Sequence, residues 1–115
     1  MERNNRLKKE ARKKELVHEL SRIINALKKD KEIKLIMLFG SLARGDISTT
    51  SDIDMIIVKG TEKKFLDRLD EVYSTLIPNV ALDILVYTPE EFEAMKNKNV
   101  FVRNAVKEGK MLYES

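Results

Sequence analysis

The chain contains no cysteine and a single histidine, His18. Disulfide stapling is excluded, and so is a zinc site built on thiolates. With no second histidine or cysteine to share a metal, His18 reads as a surface or boundary residue. Glycine occurs four times and proline twice, and no segment reads as a linker, an internal repeat or a low-complexity stretch. No apolar run approaches the roughly 20 residues of a membrane span, and the opening MERNNRLKKEARKK lacks the apolar centre of a signal peptide. These absences lead us to expect a soluble, cytoplasmic protein that does not enter a membrane.

The chain has 115 residues, 43% of them apolar and 36% charged. That is enough for one core and one domain, spanning 1–115, and too apolar for global disorder. The net charge of +3 hides an asymmetry. Residues 1–34 carry 12 basic and 6 acidic side chains, whereas 35–115 carry 10 and 13. A basic arm on a slightly acidic body points to nucleic acid, a membrane surface, an acidic partner or a plainly solvated helix face.

Leu7, Ala11, Leu16, Val17, Leu20, Ile23, Ile24 and Leu27 recur at helical spacing, which predicts one amphipathic helix over about 4–30, fraying in its first turns. A core over 33–115 follows. IKLIMLF (33–39) and DIDMIIV (52–58) read as strands buried on both faces, and VALDILVY (80–87) as a third. A short helix starting near Leu42 and a Gly-Ser-Thr loop separate the first two. Thr61 is expected to cap a helix with Phe65, Leu66, Leu69, Val72, Tyr73 and Leu76 inward, stopped by Pro78. Thr88-Pro89-Glu90-Glu91 has the cap, the proline and the N3 glutamate of a capping box, with Phe92 and Met95 facing inward. Asn99 opens a last helix with Phe101, Val102, Ala105 and Val106 inward. Gly109 ends it, and Met111–Tyr113 reads as a short edge strand. The order gives an α/β (α+β) domain, a small mixed sheet covered by helices.

Three aspartates oppose the local rules. Asp52 and Asp54 lie in one apolar strand and Asp83 in another, although a buried, unpaired carboxylate is costly. Strand alternation puts Asp52 and Asp54 on one face, about 6.5–7 Å apart at Cα. If the Asp83 strand lies beside theirs, three carboxylates converge, a donor set suited to Mg²⁺ or Mn²⁺. Asp52, after Ser51, is also compatible with a turn or cap. Gly40-Ser41 ends the first strand. Alone it is most often a turn, but the glycine lets a ligand approach backbone, and Arg44 and Ser51 add a guanidinium and a hydroxyl beside the carboxylates. A metal-borne triphosphate accounts for all of these together.

Gly40-Ser41, ten residues, then Asp52-Ile53-Asp54 resembles the GS-x10-DxD signature of the nucleotidyltransferase superfamily that includes DNA polymerase beta. The longer string FGSLARGDISTTSDIDMIIV is similar to the minimal nucleotidyltransferases (MNT), often paired with HEPN-domain partners. ALDILVYTPEE resembles their third-carboxylate strand and the helix after it, and EGKMLYE their ending. The resemblance covers about Ile33 to the C-terminus and leaves out residues 1–15. It implies a polymerase beta-like fold in which Asp52, Asp54 and Asp83 bind two Mg²⁺ (or Mn²⁺) ions and catalyse. Asp83 would also help activate the attacking hydroxyl. Gly40 and Ser41 would hold the β- and γ-phosphates of ATP or another NTP, with Arg44 and Ser51 as further phosphate contacts.

The implied reaction moves a nucleoside monophosphate, AMP from ATP in the leading reading, onto a hydroxyl. At this length the acceptor is expected on a partner, and the chain to work in an oligomer with it. MNT proteins of this kind resemble antitoxins that adenylylate a tyrosine of a HEPN ribonuclease toxin. Two other readings stay open: a non-catalytic antitoxin that masks the toxin by contact, and a nucleotidyltransferase acting on a small molecule or RNA. The first helix has no interleaved aromatics for base stacking, so nucleic acid is not favoured.

Overall fold

The computed structural model describes residues 2–115. The two most apolar runs pair with each other. Strand β1 (Ile33–Phe39) lies antiparallel to β2 (Ile53–Lys59), with Ile36 opposite Ile57 and Phe39 opposite Asp54. Strand β3 (Leu82–Tyr87) runs parallel to β2, which places Asp83 directly opposite Asp54. The connection between them is the helix α3 (Phe65–Leu76), as a parallel pair requires. Strand β4 (Lys110–Glu114) adds antiparallel to β1, so the mixed sheet has the order β3-β2-β1-β4.

Alternation along the central strands feeds two apolar clusters. Ile53, Met55 and Ile57 pack with Leu16, Ile23 and Leu27 of α1 (Glu2–Leu27) and with Val72 and Leu76 of α3. Ile56, Val58 and Met37 pack with Phe92 of α4 (Pro89–Lys98) and with Val102 and Ala105 of α5 (Val100–Glu108). Helices therefore cover both faces, as the unbroken apolar runs require. Among the described residues no helix is long and apolar enough to cross a membrane.

Several expectations are corrected. Helix α1 stops at Leu27, and Leu7 and Val17 are exposed rather than part of the buried stripe. Val17 lies one residue, about 100° of helix, from buried Leu16. Leu7 lies in the exposed N-terminal stretch of α1, for a helix of 26 residues is about 39 Å long and a seven-residue strand only about 23 Å. Thr61 does not cap α3: the N-cap is Lys64, and the Thr61 hydroxyl accepts from the Lys63 amide at 3.1 Å in a local turn. The buried face of α3 is Arg68, Val72 and Leu76, which turns Leu66 to solvent. Phe101 is also exposed, while Val102 and Ala105 face inward. The capping box at Thr88 and Glu91 forms as expected, as does the Asn99 cap of α5.

Helix α1 is fastened to the sheet by a polar tie as well as by its leucines. Glu19 is 3% exposed and receives the Arg22 guanidinium at 2.7 and 2.9 Å, together with the backbone and side-chain amides of Asn79. Asn79 belongs to the loop leading into β3. The Arg22 hydrogen bonds foremost, helped by those from Asn79, hold the Glu19 carboxyl down at about 2 against the opposing cost of burial. A carboxyl depressed in the fold stabilises it above its unfolded value near 4.5, and that contribution fades as the pH falls toward 2. We expect Glu19→Ala to lower stability by about 2 kcal/mol at pH 7, with the difference from wild type shrinking below pH 4 in urea titrations.

Candidate active site

Strand β1 ends where β2 and β3 begin, so the register gathers Phe39, Asp54 and Asp83 at one end of the sheet. Neighbouring strands stand about 4.8 Å apart, close enough for the two carboxylates to feel each other strongly. Asp54 is half-buried and Asp83, on the edge strand, is exposed. Burial pushes the Asp54 carboxyl up to about 6, aided by the charge of Asp83, hydrogen bonding to it, and the charge of Asp52. The Arg44 guanidinium works in the opposite sense.

Gly40 is the first residue of the short helix α2 (Gly40–Arg44) and has φ +76°, in the left-handed region. It also lies against Asp54. A Cβ at this position would stand 3.0 Å from the Asp54 carboxyl carbon and nearer still to one of its oxygens. Both reasons demand glycine here. The sharp entry turns α2 away from β1 and tucks Leu42 and Ala43 into the core. The left-handed Gly45 ends the helix.

Gly40, Arg44, Asp54 and Asp83 line one open cavity of about 710 Å³. Its further walls come from Leu69 and Tyr73 of α3 and from Phe101, Asn104 and Glu108 of α5. Arg44 approaches Glu108 at 3.4 Å. No chemical signal in the sequence marks the α5 residues. Only their spacing of three and four marks them, once Phe101 is known to face outward.

Ser41, Ser51 and Asp52 stand beside this cavity. Ser51 is buried, and its hydroxyl accepts from Ser41 Oγ at 3.0 Å and from the Ser48 amide at 2.8 Å. Asp52 directs one carboxylate oxygen toward Arg12 of α1, 3.7 Å away. Arg12 also donates from Nε to the Ser51 carbonyl at 3.0 Å. In the sequence Arg12 is one cation of a basic run, and nothing in its neighbourhood distinguishes it from Lys13 or Lys14.

Among the described residues no three acidic or imidazole side chains are drawn together as a ready-made metal cage. The donor chemistry nevertheless fits a divalent cation. Asp54 and Asp83 are hard oxygen donors in register, and a positive ion would offset the burial and the neighbouring charge that together lift Asp54 to about 6. Asp52 would join them by turning from Arg12.

Residues 21–115 match the family model described as "Polymerase beta, Nucleotidyltransferase". The chain belongs to this nucleotidyltransferase family. A Methanocaldococcus jannaschii protein, provisionally named a protein adenylyltransferase, is 36% identical over 97 residues, spanning 82% of this chain and 94% of its own length. A Sulfolobus solfataricus crystal structure, provisionally described as a nucleotidyltransferase, superposes with a TM-score of 0.66 at 23% identity, over 93% of this chain and 87% of that one. A complex of a tri-AMPylated Shewanella oneidensis HEPN toxin with its MNT antitoxin gives 0.52 at 20% identity, covering 87% and 73%. The two structures share the fold.

Two outcomes follow from this geometry. Gly40→Ala should displace Asp54, lowering the melting temperature and abolishing the Mn²⁺-induced rise in melting temperature expected of wild type. Without divalent ions, Asp54→Asn should be more stable than wild type above pH 6 by about 1–2 kcal/mol. A carboxyl raised in the fold costs stability as pH climbs from its ordinary 3.8 through 6, so the difference should vanish near pH 4 in denaturation curves.

Proposed function

We propose that this protein is a metal-dependent adenylyltransferase that moves AMP from ATP onto a protein hydroxyl, a tyrosine of a HEPN ribonuclease toxin, and so acts in the cytoplasm as that toxin's antitoxin. The observation that carries the reading is the in-register pair Asp54–Asp83 set against the left-handed Gly40 turn. The relative named as a protein adenylyltransferase and the AMPylated toxin bound by an MNT protein of like fold support the choice of acceptor.

In this reading Ser41 and the Gly40 backbone receive the terminal phosphates. Ser51 acts through Ser41, whose hydroxyl it fixes, and Arg44 leans over the cavity toward the phosphates or the acceptor. Asp83, exposed at the cavity edge, takes the proton of the acceptor hydroxyl. The acceptor oxygen bonds to the α-phosphorus as the bond to the bridging oxygen breaks, and pyrophosphate leaves. Two Mg²⁺ or Mn²⁺ ions held by Asp52, Asp54 and Asp83 would offset the triphosphate charge and acidify the acceptor hydroxyl.

Incubation with the cognate HEPN protein and Mg-ATP should add the mass of AMP to that partner, as read by intact-protein mass spectrometry. Asp54→Ala should abolish the adduct and the protection. Neutralisation of the toxin by Asp54→Ala as good as by wild type, with no adduct from either, would instead make the protein an antitoxin that works by contact.

A further inference from the structure

We infer that Arg12 is a polyphosphate-binding residue, supplied to the nucleotide site by helix α1 from outside the part of the chain that matches the family, which begins at residue 21. The inference rests on the nucleotidyl-transfer reading above. From Arg3 to Glu15 every residue of α1 is exposed except Arg12. No apolar packing explains that exception, because the buried contacts of the helix begin at Leu16. Arg12 is held instead by polar contacts. Its Nε donates to the Ser51 carbonyl at 3.0 Å, and Glu15 takes Nη1.

The remaining edge of the guanidinium points at the site. Nη2 stands 3.7 Å from Asp52 Oδ1, near enough for attraction between charges and too far for a hydrogen bond. An arginine gives up much side-chain freedom when it is fixed in one rotamer. Here it is fixed with donors to spare, beside a carboxylate expected to bind metal.

A second observation points the same way. Ser51, whose carbonyl Arg12 holds, is also the residue whose hydroxyl holds Ser41. One residue thus sets both the guanidinium and the hydroxyl expected to meet phosphate. A planar fork is the chemistry that grips phosphate oxygens two at a time. In the free protein Arg12 stands in as the cation for Asp52. When an NTP arrives, Arg12 passes to the terminal phosphates and frees Asp52.

Arg12→Met keeps the length of the side chain and removes the charge, and α1 stays anchored through Leu16, Ile23, Leu27 and Glu19. Calorimetric titration of the full chain should show ATP and inorganic pyrophosphate weakened about tenfold or more by Arg12→Met, and AMP changed less than about twofold. Arg12→Lys should recover part of the ATP affinity. Wild-type affinity for ATP in Arg12→Met, or an equal loss for ATP and AMP, would overturn the assignment and leave Arg12 a strut for the loop. Failure of the wild-type protein to bind ATP at all would sink the nucleotidyl-transfer reading itself, and the role of Arg12 with it.

Discussion

Asp54 and Asp83 face each other across the parallel β2–β3 pair, one half-buried and the other at the edge. Burial of the Asp54 carboxyl costs the fold, and repulsion from Asp83 at strand spacing adds to that cost. Most of what surrounds them accommodates that conflict. Apolar residues of β1, β2 and β3 on either side of the sheet fix the strand register without help from the aspartates. Gly40 leaves the space that the Asp54 carboxyl fills, and Arg44 offsets part of the charge. The arrangement holds a local instability that a bound cation would relieve, a common relation between stability and function.

Helix α1 ties the two loops that feed the carboxylate strands. Arg12 holds the Ser51 carbonyl just before β2, and Glu19 holds Asn79 just before β3. Leu16 is buried between them on the same helix. The ends of β2 and β3 are thereby linked through a rigid rod as well as through their ladder. A helix that carries much of the chain's positive charge is thus part of the frame of the site, and only its first turns stand wholly in solvent.

Much of this was legible in the sequence, because the signals were local. The unbroken apolar runs marked strands covered on both faces, and the Thr88–Glu91 box placed the start of α4. The resemblance of Gly40-Ser41 and Asp52-Ile53-Asp54 to the nucleotidyltransferase signature implied nucleotidyl transfer, and the family match bears that out. The errors arose where a neighbour absent from the local pattern decided the outcome. The apolar faces of α3 and α5 predict Leu66 and Phe101 inward, but the facing of α3 is fixed by buried Arg68, which reaches the Val86 carbonyl and Glu91. Phe101 instead meets Phe39 edge-on at the cavity rim, 5.7 Å between ring centres.

The sequence by itself determined which residues are chemically out of place: Asp54 and Asp83 inside apolar strands, Asp52 at the entry to one, which begins at Ile53 rather than at Asp52, and a glycine-serine pair at the end of another. Those are properties of residue type and spacing, and they survive without coordinates. Only the tertiary structure decided that Asp54 and Asp83 share a register, because the pairing of β2 with β3 is a contact across 29 residues. It alone separated Arg12 from the lysines beside it. Which of several exposed cations on a helix turns inward depends on where the far loop presents a carbonyl and a carboxylate, and no local pattern encodes that.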